Sequence, residues 1–495
     1  MSITYDLAII GGGINGCGIA RDAAGRGLKV LLCEKDDIAS HTSSWSSKLI
    51  HGGLRYLEQY EFRLVREALR EREVMMRIAP HITRPLQFVL PHDRSMRPAW
   101  MLRVGLYLYD HIGGPITLPK SYGIKFPHPK FGEALKPEYK RGFVYSDLQV
   151  DDSRLTILNA ISAREKGADV LTRTACVSAK RMAGLWRLTL QDTDGTRSEV
   201  TARGLVNAAG PWVKQVIDDV VRQPTKETVR LVKGSHIVVP RLPGANHAFI
   251  LQNHDQRVIF IIPYAEKFSI IGTTDIAVPG LDQSEQISSA ELEYLLAAVN
   301  RYLAAPLAYT DVVWSYAGVR PLYDDGTDNP SQVTRDYTLT INDEQGAMPL
   351  LNIFGGKITT YRELAIAALE KLKPYYKGLR GSWTANEPLP GGDTPSVPAL
   401  YNGLKARYSG LPQDILYAML RRYGTRVTRI LGDAEVVSDL GVRFGPQLTA
   451  REIDYLMEEE WARTAEDVLW RRTKCGLTMS IEERRAVADY LFARR

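Results

Sequence analysis

The stretch from Thr4 to Asp37, TYDLAIIGGGINGCGIARDAAGRGLKVLLCEKDD, constrains this chain more than any other. Its pattern predicts an apolar strand from about Tyr5 to Ile10, a turn through Gly11-Gly12-Gly13-Ile14-Asn15-Gly16, a helix of small residues to about Gly27, and a second strand ending on Glu34. Each part has a physical task in a dinucleotide site. Gly11 permits the tight turn, Gly13 lets the backbone approach a pyrophosphate, and Gly16 lets helix and strand pack closely. The helix N-terminus offers unpaired N–H groups and a partial positive charge to the phosphates. Glu34 stands about twenty residues beyond the turn, where an acid accepts hydrogen bonds from the adenosine ribose and repels a 2′-phosphate. Strand, turn, helix, strand and acid in this order specify a dinucleotide-binding unit, and leave NAD and FAD both open.

At 495 residues the chain is long for one core, so two or three domains are expected. A hydrophobic content of 44% with 24% charged residues is that of a soluble globular protein. The net charge of +6 is modest for this length and argues against nucleic acid as a partner, while leaving room for local basic patches that meet anionic substrates or lipids. The cysteines Cys17, Cys33, Cys176 and Cys475 are scattered without a CxxC pair, so no metal centre is expected and a reducing compartment is. Neither a basic region followed by an apolar run nor an apolar stretch long enough to span a bilayer is visible, so membrane contact is expected to be peripheral.

The expected fold class is mixed: a Rossmann-like α/β domain with an inserted β-rich domain and a C-terminal helical domain. Residues 1–90, 147–221 and 314–380 are assigned to the dinucleotide domain and 91–146 with 222–313 to the inserted one, because SHIVVP, AFILQN, RVIFIIPY and FSIIGTTD alternate as antiparallel strands do. A Pro/Gly-rich linker at 381–398 leads to helices over 399–495, where Thr449 with Glu452 and Ser480 with Glu483 have capping-box spacing. The segment 94–114 carries only Arg103 as a charge between Ala99 and Tyr109. It reads either as a buried helix or as an interfacial one, flanked by Arg94 and Arg97 and dipping Trp100, Met101, Leu102, Leu106 and Leu108 below the headgroups.

Further stretches carry chemistry. The loop from Ser43 to Tyr56 combines hydroxyls and glycines that admit a flat ring with a titratable His51, a fixed cation at Arg55 and the phenol of Tyr56. Ala317-Gly318-Val319-Arg320 places a second guanidinium after a small residue. Gly355-Gly356-Lys357-Ile358-Thr359 opens a second helix, whose positive end can stabilise negative charge on a reduced ring. A second glycine cradle far downstream suits FAD, held extended by distant segments, better than NAD.

The runs TSSWSSKLIHGGLRYLE, VNAAGPW, KGSHIVVP, FSIIGTTD, AGVRPL, FGGKITTYR and DVLWRRTKCGL together resemble the aerobic, FAD-dependent glycerol-3-phosphate dehydrogenases, of the D-amino-acid-oxidase-like flavoproteins, over nearly the whole chain. The resemblance implies an FAD domain, a β-rich substrate-capping domain and a helical C-terminal domain. It also implies a homodimer, cytoplasmic and bound peripherally to the inner-membrane lipid surface, that passes electrons from sn-glycerol 3-phosphate to a membrane quinone. By motif, Gly11, Gly13, Asn15 and Gly16 are expected at the pyrophosphate and Glu34 at the ribose. Ser46, Ser47, Leu49, Gly52 and Gly53 are expected at the flavin, and the Cys176–Val177 backbone at the adenine. Gly210 is expected close to the cofactor and Gly355, Gly356, Lys357 and Thr359 near the isoalloxazine. Arg55, Tyr56, Thr274 and Arg320 are the expected substrate ligands. The expected reaction moves the C2 hydride to flavin N5, giving dihydroxyacetone phosphate, with His51 as base, Arg55 and Arg320 on the phosphate or the developing alkoxide, and Lys357 supporting the reduced ring. An oxidase that uses oxygen, and a non-catalytic flavin-binding sensor, share these motifs.

Overall fold

The computed structural model describes residues 3–57, 60–93, 96–255, 257–281, 286–324 and 336–494. The opening motif forms the expected unit: strand Thr4–Ile10, helix Ile14–Gly25, strand Val30–Cys33. Thr4–Ile10 pairs in parallel with Val30–Cys33 on one side and with Arg197–Asn207 on the other. Ala347–Phe354 adds to Arg197–Asn207 and Asp169–Leu171 to Val30–Cys33, again in parallel, and Thr338–Glu344 closes one edge antiparallel. Period-two alternation sorts the central strand. Leu7 and Ile9 face a core built with the helices Ile14–Gly25, Asp152–Glu165 and Tyr361–Leu372, whereas Ala8 and Ile10 face one closed by the hairpin Thr174–Met182 and Leu185–Asp192. Fully buried Trp186 donates its indole N–H to the Met348 carbonyl at 3.1 Å, so the hairpin is fixed as well as packed.

The second sheet is largely antiparallel. Its spine runs Val229–Pro240, Phe268–Gly272, Val258–Tyr264, Ala248–Gln252, Thr83–His92, Arg141–Val150 and Leu49–Ile50. Strands of this sheet cut across the domain ranges expected from the sequence. Leu49–Ile50, most of Thr83–His92 and Trp314–Tyr323 fall in the ranges assigned to the dinucleotide domain, yet all are strands of this sheet. Trp314–Tyr323 pairs along its length with Val229–Pro240. A strand's pattern says which face is buried, not which sheet it joins.

Helix Ala99–Ile112 lies on that sheet by one side only. Leu106, Tyr109 and Asp110 are buried, while Trp100 is 67% exposed and Met101, Val104, Tyr107 and Leu108 also face outward. The segment is thus neither a fully buried helix nor apolar side down as read: Leu106 belongs to the core, and Val104 and Tyr107 take its place on the exposed face. Arg103 is tied to Ser121, and Arg94 lies outside the described residues.

The C-terminal helices Val397–Arg407, Gln413–Tyr423, Ala450–Glu459 and Ile481–Phe492 surround their own core. Ser480 and Glu483 close the expected reciprocal cap. Thr449 does not cap with its side chain; the Glu452 carboxylate instead accepts from Arg422 and from the Tyr423 hydroxyl, each at 2.7 Å. The 381–398 stretch is a packed strap rather than a free linker, with the Trp383 indole N–H bonded to the Asp22 carbonyl at 3.2 Å and Leu389 through Gly392 buried.

Candidate active site

An elongated cavity of about 730 Å³ runs between the two sheets. One end is walled by Cys33, Glu34 and Thr174 to Cys176, the middle by Gly11 to Asn15, and the other end by the Ser43–Tyr56 loop, Arg320 and Gly355 to Thr359.

At the first end the Glu34 carboxylate accepts from the Gly12 amide at 2.6 Å and the Asp36 amide at 2.8 Å. It therefore ties the glycine turn to the second strand as well as lining the cavity. Gly11 has φ +113°, and a Cβ on Gly16 would stand 1.9 Å from the Gly11 carbonyl oxygen. Gly16 is thus a packing residue behind the wall rather than part of it. The Ser43 hydroxyl accepts the Ile14 amide at 2.9 Å, satisfying one helix N-terminal donor. Asn15 joins the two glycine cradles: its side-chain amide donates to the Gly355 carbonyl at 3.3 Å, while its buried Oδ1 has no partner. An orphaned acceptor on the cavity wall, an acid at the end of the second strand and two glycine turns that leave the backbone bare fit an extended dinucleotide.

The other end carries the reactive groups. His51 stands edge-on to Phe260, and burial first, the Lys357 ammonium second, lower its pKa to about 4. Its imidazole is neutral at physiological pH and able to take a proton. Lys357 Nζ lies 3.7 Å from the centre of the Tyr56 ring, a cation–π contact made against the bare backbone of Gly53, where a Cβ would collide with that ring. Arg320 donates to Asp275 at 2.6 Å, to the Thr273 hydroxyl at 3.2 Å and to the Thr274 carbonyl at 2.8 Å. Gly234 makes room for this guanidinium, since a Cβ there would lie 2.1 Å from Nη2.

Most of the residues singled out in the sequence converge on this cavity: Gly11, Gly13, Asn15, Glu34, Ser46, Ser47, Leu49, His51, Gly53, Tyr56, Cys176, Gly210, Arg320, Gly355, Gly356, Lys357 and Thr359 line it. Four do not. Gly16 packs behind the turn, and Val177 lies beyond the Thr174–Cys176 wall. Gly52 is buried behind the wall, its amide donating to the Tyr109 hydroxyl at 2.8 Å, which in turn donates to Asp147 at 2.7 Å. Thr274 lies off the wall: its buried hydroxyl donates to Glu291 at 2.8 Å and accepts the Ser235 amide at 2.9 Å, while its neighbours Thr273 and Asp275 line the cavity. The Arg55 side chain lies outside the described residues.

Thr273, Asp275 and His236 are wall residues not singled out from the sequence, although all stand in runs with a recognisable pattern. Asp275 ends FSIIGTTD. His236, in KGSHIVVP, bonds the Ser47 hydroxyl at 2.9 Å through Nε2 and stacks on Tyr316 with ring centres 4.7 Å apart. Burial, then Arg320 and Lys48, keep His236 neutral.

The acid limb of an activity profile that depends on neutral His51 is expected well below the ordinary imidazole value of about 6.5. Lys357→Met removes one of the two causes that disfavour the His51 imidazolium, so the limb should move up toward that value. An unchanged limb would separate the lysine from the titrating group.

A family model described as FAD dependent oxidoreductase matches residues 6–362, and one described as C-terminal domain of alpha-glycerophosphate oxidase matches 382–491. The chain is 54% identical to a glycerol-3-phosphate dehydrogenase of Pseudomonas aeruginosa, covering 98% of this chain and 95% of the relative. It is 50% identical to a D-erythritol 1-phosphate dehydrogenase of Brucella abortus, covering 98% and 97%. Among solved structures, the glycerol-3-phosphate dehydrogenase of Bacillus halodurans complexed with FAD superposes with a TM-score of 0.74 at 27% identity, covering 99% of this chain and 94% of that one.

Proposed function

The chain belongs to the FAD-dependent glycerol-3-phosphate dehydrogenase family, and from that premise we propose that it oxidises sn-glycerol 3-phosphate at C2 to dihydroxyacetone phosphate and passes the electrons to a membrane quinone. The observation that carries this reading is the composition of one cavity end, where a neutral His51 stands among the Lys357–Tyr56 pair and the Arg320–Asp275 pair. Gly11, Gly13 and the main-chain N–H of Asn15 would hold the FAD pyrophosphate and Glu34 the ribose, while the unpartnered Asn15 Oδ1 would accept from a cofactor hydroxyl. The Cys176 backbone would meet the adenine, and Ser46, Ser47, Leu49, Gly53, Gly210, Gly355, Gly356 and Thr359 would meet the flavin. When bound, FAD supplies the two-electron acceptor.

The chain's own groups do the rest. Lys357 and Tyr56 bind the anionic phosphate, and burial strengthens each interaction by excluding water. His51 accepts the C2 hydroxyl proton at a ring nitrogen. The arriving phosphate counters Lys357 and makes that imidazole more basic than it is in the empty site. Arg320, partly neutralised by Asp275, suits a hydroxyl or developing alkoxide better than a dianion.

Asp275 also supports a second reading, since a carboxylate on the wall can accept hydroxyls of a longer polyol phosphate such as the substrate named for the Brucella relative. Comparing kcat/KM for glycerol 3-phosphate and D-erythritol 1-phosphate decides between them: a higher value for the three-carbon substrate is expected.

A second cavity of about 670 Å³, lined by apolar side chains together with Gln252, Asn253, His254 and Arg301, is the proposed place for the acceptor. It shares Leu54, Ile250 and Val258 with the first and continues along Met101, Val104 and Leu108 of the exposed helix. None of the described helices is long and apolar enough to cross a membrane. The apolar outer face of Ala99–Ile112 fits a helix lying in the interface. The double substitution Trp100→Glu, Tyr107→Glu is expected to release the protein from anionic lipid vesicles in co-sedimentation. FAD content and reduction of a soluble dye should stay within about twofold, because both side chains are solvent-exposed. Undiminished vesicle binding would remove this face from the proposal. Quinone reduction without peroxide release would distinguish the dehydrogenase from an oxidase.

A further inference from the structure

The DVLWRRTKCGL motif lies in the C-terminal part of the chain, and none of the described residues from Asp467 to Lys474 lines the cofactor cavity. We propose that this segment is a latch that holds the cofactor loop in its binding conformation, so that FAD affinity and docking of the segment itself are thermodynamically coupled. The proposal rests on the FAD reading above.

Residues Glu34 to Ser47 supply much of the cavity wall, in a loop with little regular structure of its own, and the segment grips that loop at both ends. At the start, buried Asp37 accepts from Arg471 Nε at 2.8 Å and from Arg472 Nη2 at 2.8 Å, with a second contact to Arg472 Nη1. Neither arginine is loose. Arg472 also donates to the Glu460 carbonyl, and Arg471 to Asp467, which Arg173 reaches at 2.6 Å. At the far end the grip is indirect. Lys474 donates to Asp151 at 2.6 Å and to Ser153, fixing the N-terminus of helix Asp152–Glu165. From that helix Asp152 accepts from Lys48 at 2.8 Å and from the Ser46 hydroxyl at 2.7 Å. A third attachment reaches the strand that carries Arg320: Trp470 stacks on Trp314 with ring centres 4.7 Å apart.

Asp37 itself is off the cavity wall, so it acts on the cofactor only through the loop. Removing its charge leaves Arg471 and Arg472 buried without their shared partner, which a packed interior tolerates poorly. Coupling of this kind is reciprocal: if the docked segment raises FAD affinity, bound FAD must stabilise the docked segment to the same extent.

Two measurements on the full-length protein test this. FAD titration of the apoprotein, followed by flavin fluorescence, should show Asp37→Asn weakening binding by roughly 30-fold and Lys474→Met by at least about fivefold. Amide hydrogen exchange of the wild type should show FAD slowing residues 467–474 while leaving Ile481–Phe492, in the same helical domain, unchanged. Should Asp37→Asn fail to fold, Lys474→Met and the wild-type exchange decide the matter. FAD affinities within twofold of wild type in the variants, or exchange at 467–474 indifferent to FAD, would overturn the latch and leave the proposed reaction standing. Wild-type protein that binds no FAD would overturn both.

Discussion

Replacing His51 with Ala is expected to slow reduction of bound FAD by glycerol 3-phosphate by about 10²-fold or more, the usual contribution of a positioned base, while FAD content is unchanged. The expectation follows from elimination among the groups at that end of the cavity. Lys357 is an ammonium seated on the Tyr56 ring, and Arg320 stays protonated and holds Asp275. His236 is buried against Tyr316 and bonded to Ser47, so it steadies the wall. His51 and His236 are both neutral wall residues, but His236 is committed to the Ser47 hydroxyl, whereas the His51 ring, its pKa lowered to about 4 by burial and Lys357, stands beside the Lys357 and Tyr56 pair with a basic nitrogen to offer. Anaerobic stopped-flow at the flavin absorbance reads the rate directly. A rate within threefold of wild type would move the role elsewhere, with Asp275 next in line once substrate displaces Arg320.

The second large effect concerns stability and comes from one methyl group. Gly16→Ala would set a Cβ 1.9 Å from a backbone oxygen of Gly11, where no side chain can give way, and Gly11 is itself hemmed in by the Ala208 carbonyl. Overpacking against backbone costs about 3 kcal/mol or more, and the turn that must admit a pyrophosphate shifts with it. The same substitution at Gly403 should have the opposite sign. That residue sits exposed within helix Val397–Arg407 with nothing within 4 Å of an added Cβ, so Gly403→Ala is expected to stabilise by roughly 0.5–1 kcal/mol. Urea denaturation of the two variants checks both signs. Equal effects would mean that the close approach at the glycine turn does not govern the fold there.

These contrasts show what a sequence makes legible. The opening βαβ unit is readable because local chemistry determines it: glycines at positions of positive φ or close approach, an apolar strand, an acid at fixed separation. His51, Tyr56 and Lys357 are readable for a similar reason, since each stands beside glycines that only a bare backbone explains. What escapes is pairing between distant segments. WSYAGVRPL looks like any strand flanking a cofactor site, and nothing local says that it lies along Val229–Pro240. Thr273, Thr274 and Asp275 are three polar neighbours, and only Glu291 reaching across from another helix shows which of them turns inward. Asp37 and Arg472 are separated by most of the chain, so their shared carboxylate and guanidinium appear only after folding. The exposed helix Ala99–Ile112 was ambiguous because aromatic and aliphatic residues populate its whole circumference, and packing alone selects the buried side.

On the proposed reading, the glycine-cradled cavity holds FAD against a polyol phosphate with its C2 hydroxyl at His51. Anaerobic titration of the FAD-loaded protein with sn-glycerol 3-phosphate tests it most directly. The expected result is loss of the visible flavin absorbance at about one substrate per bound FAD, with its return on adding a quinone. A flavin that stays oxidised in excess glycerol 3-phosphate would contradict the claim.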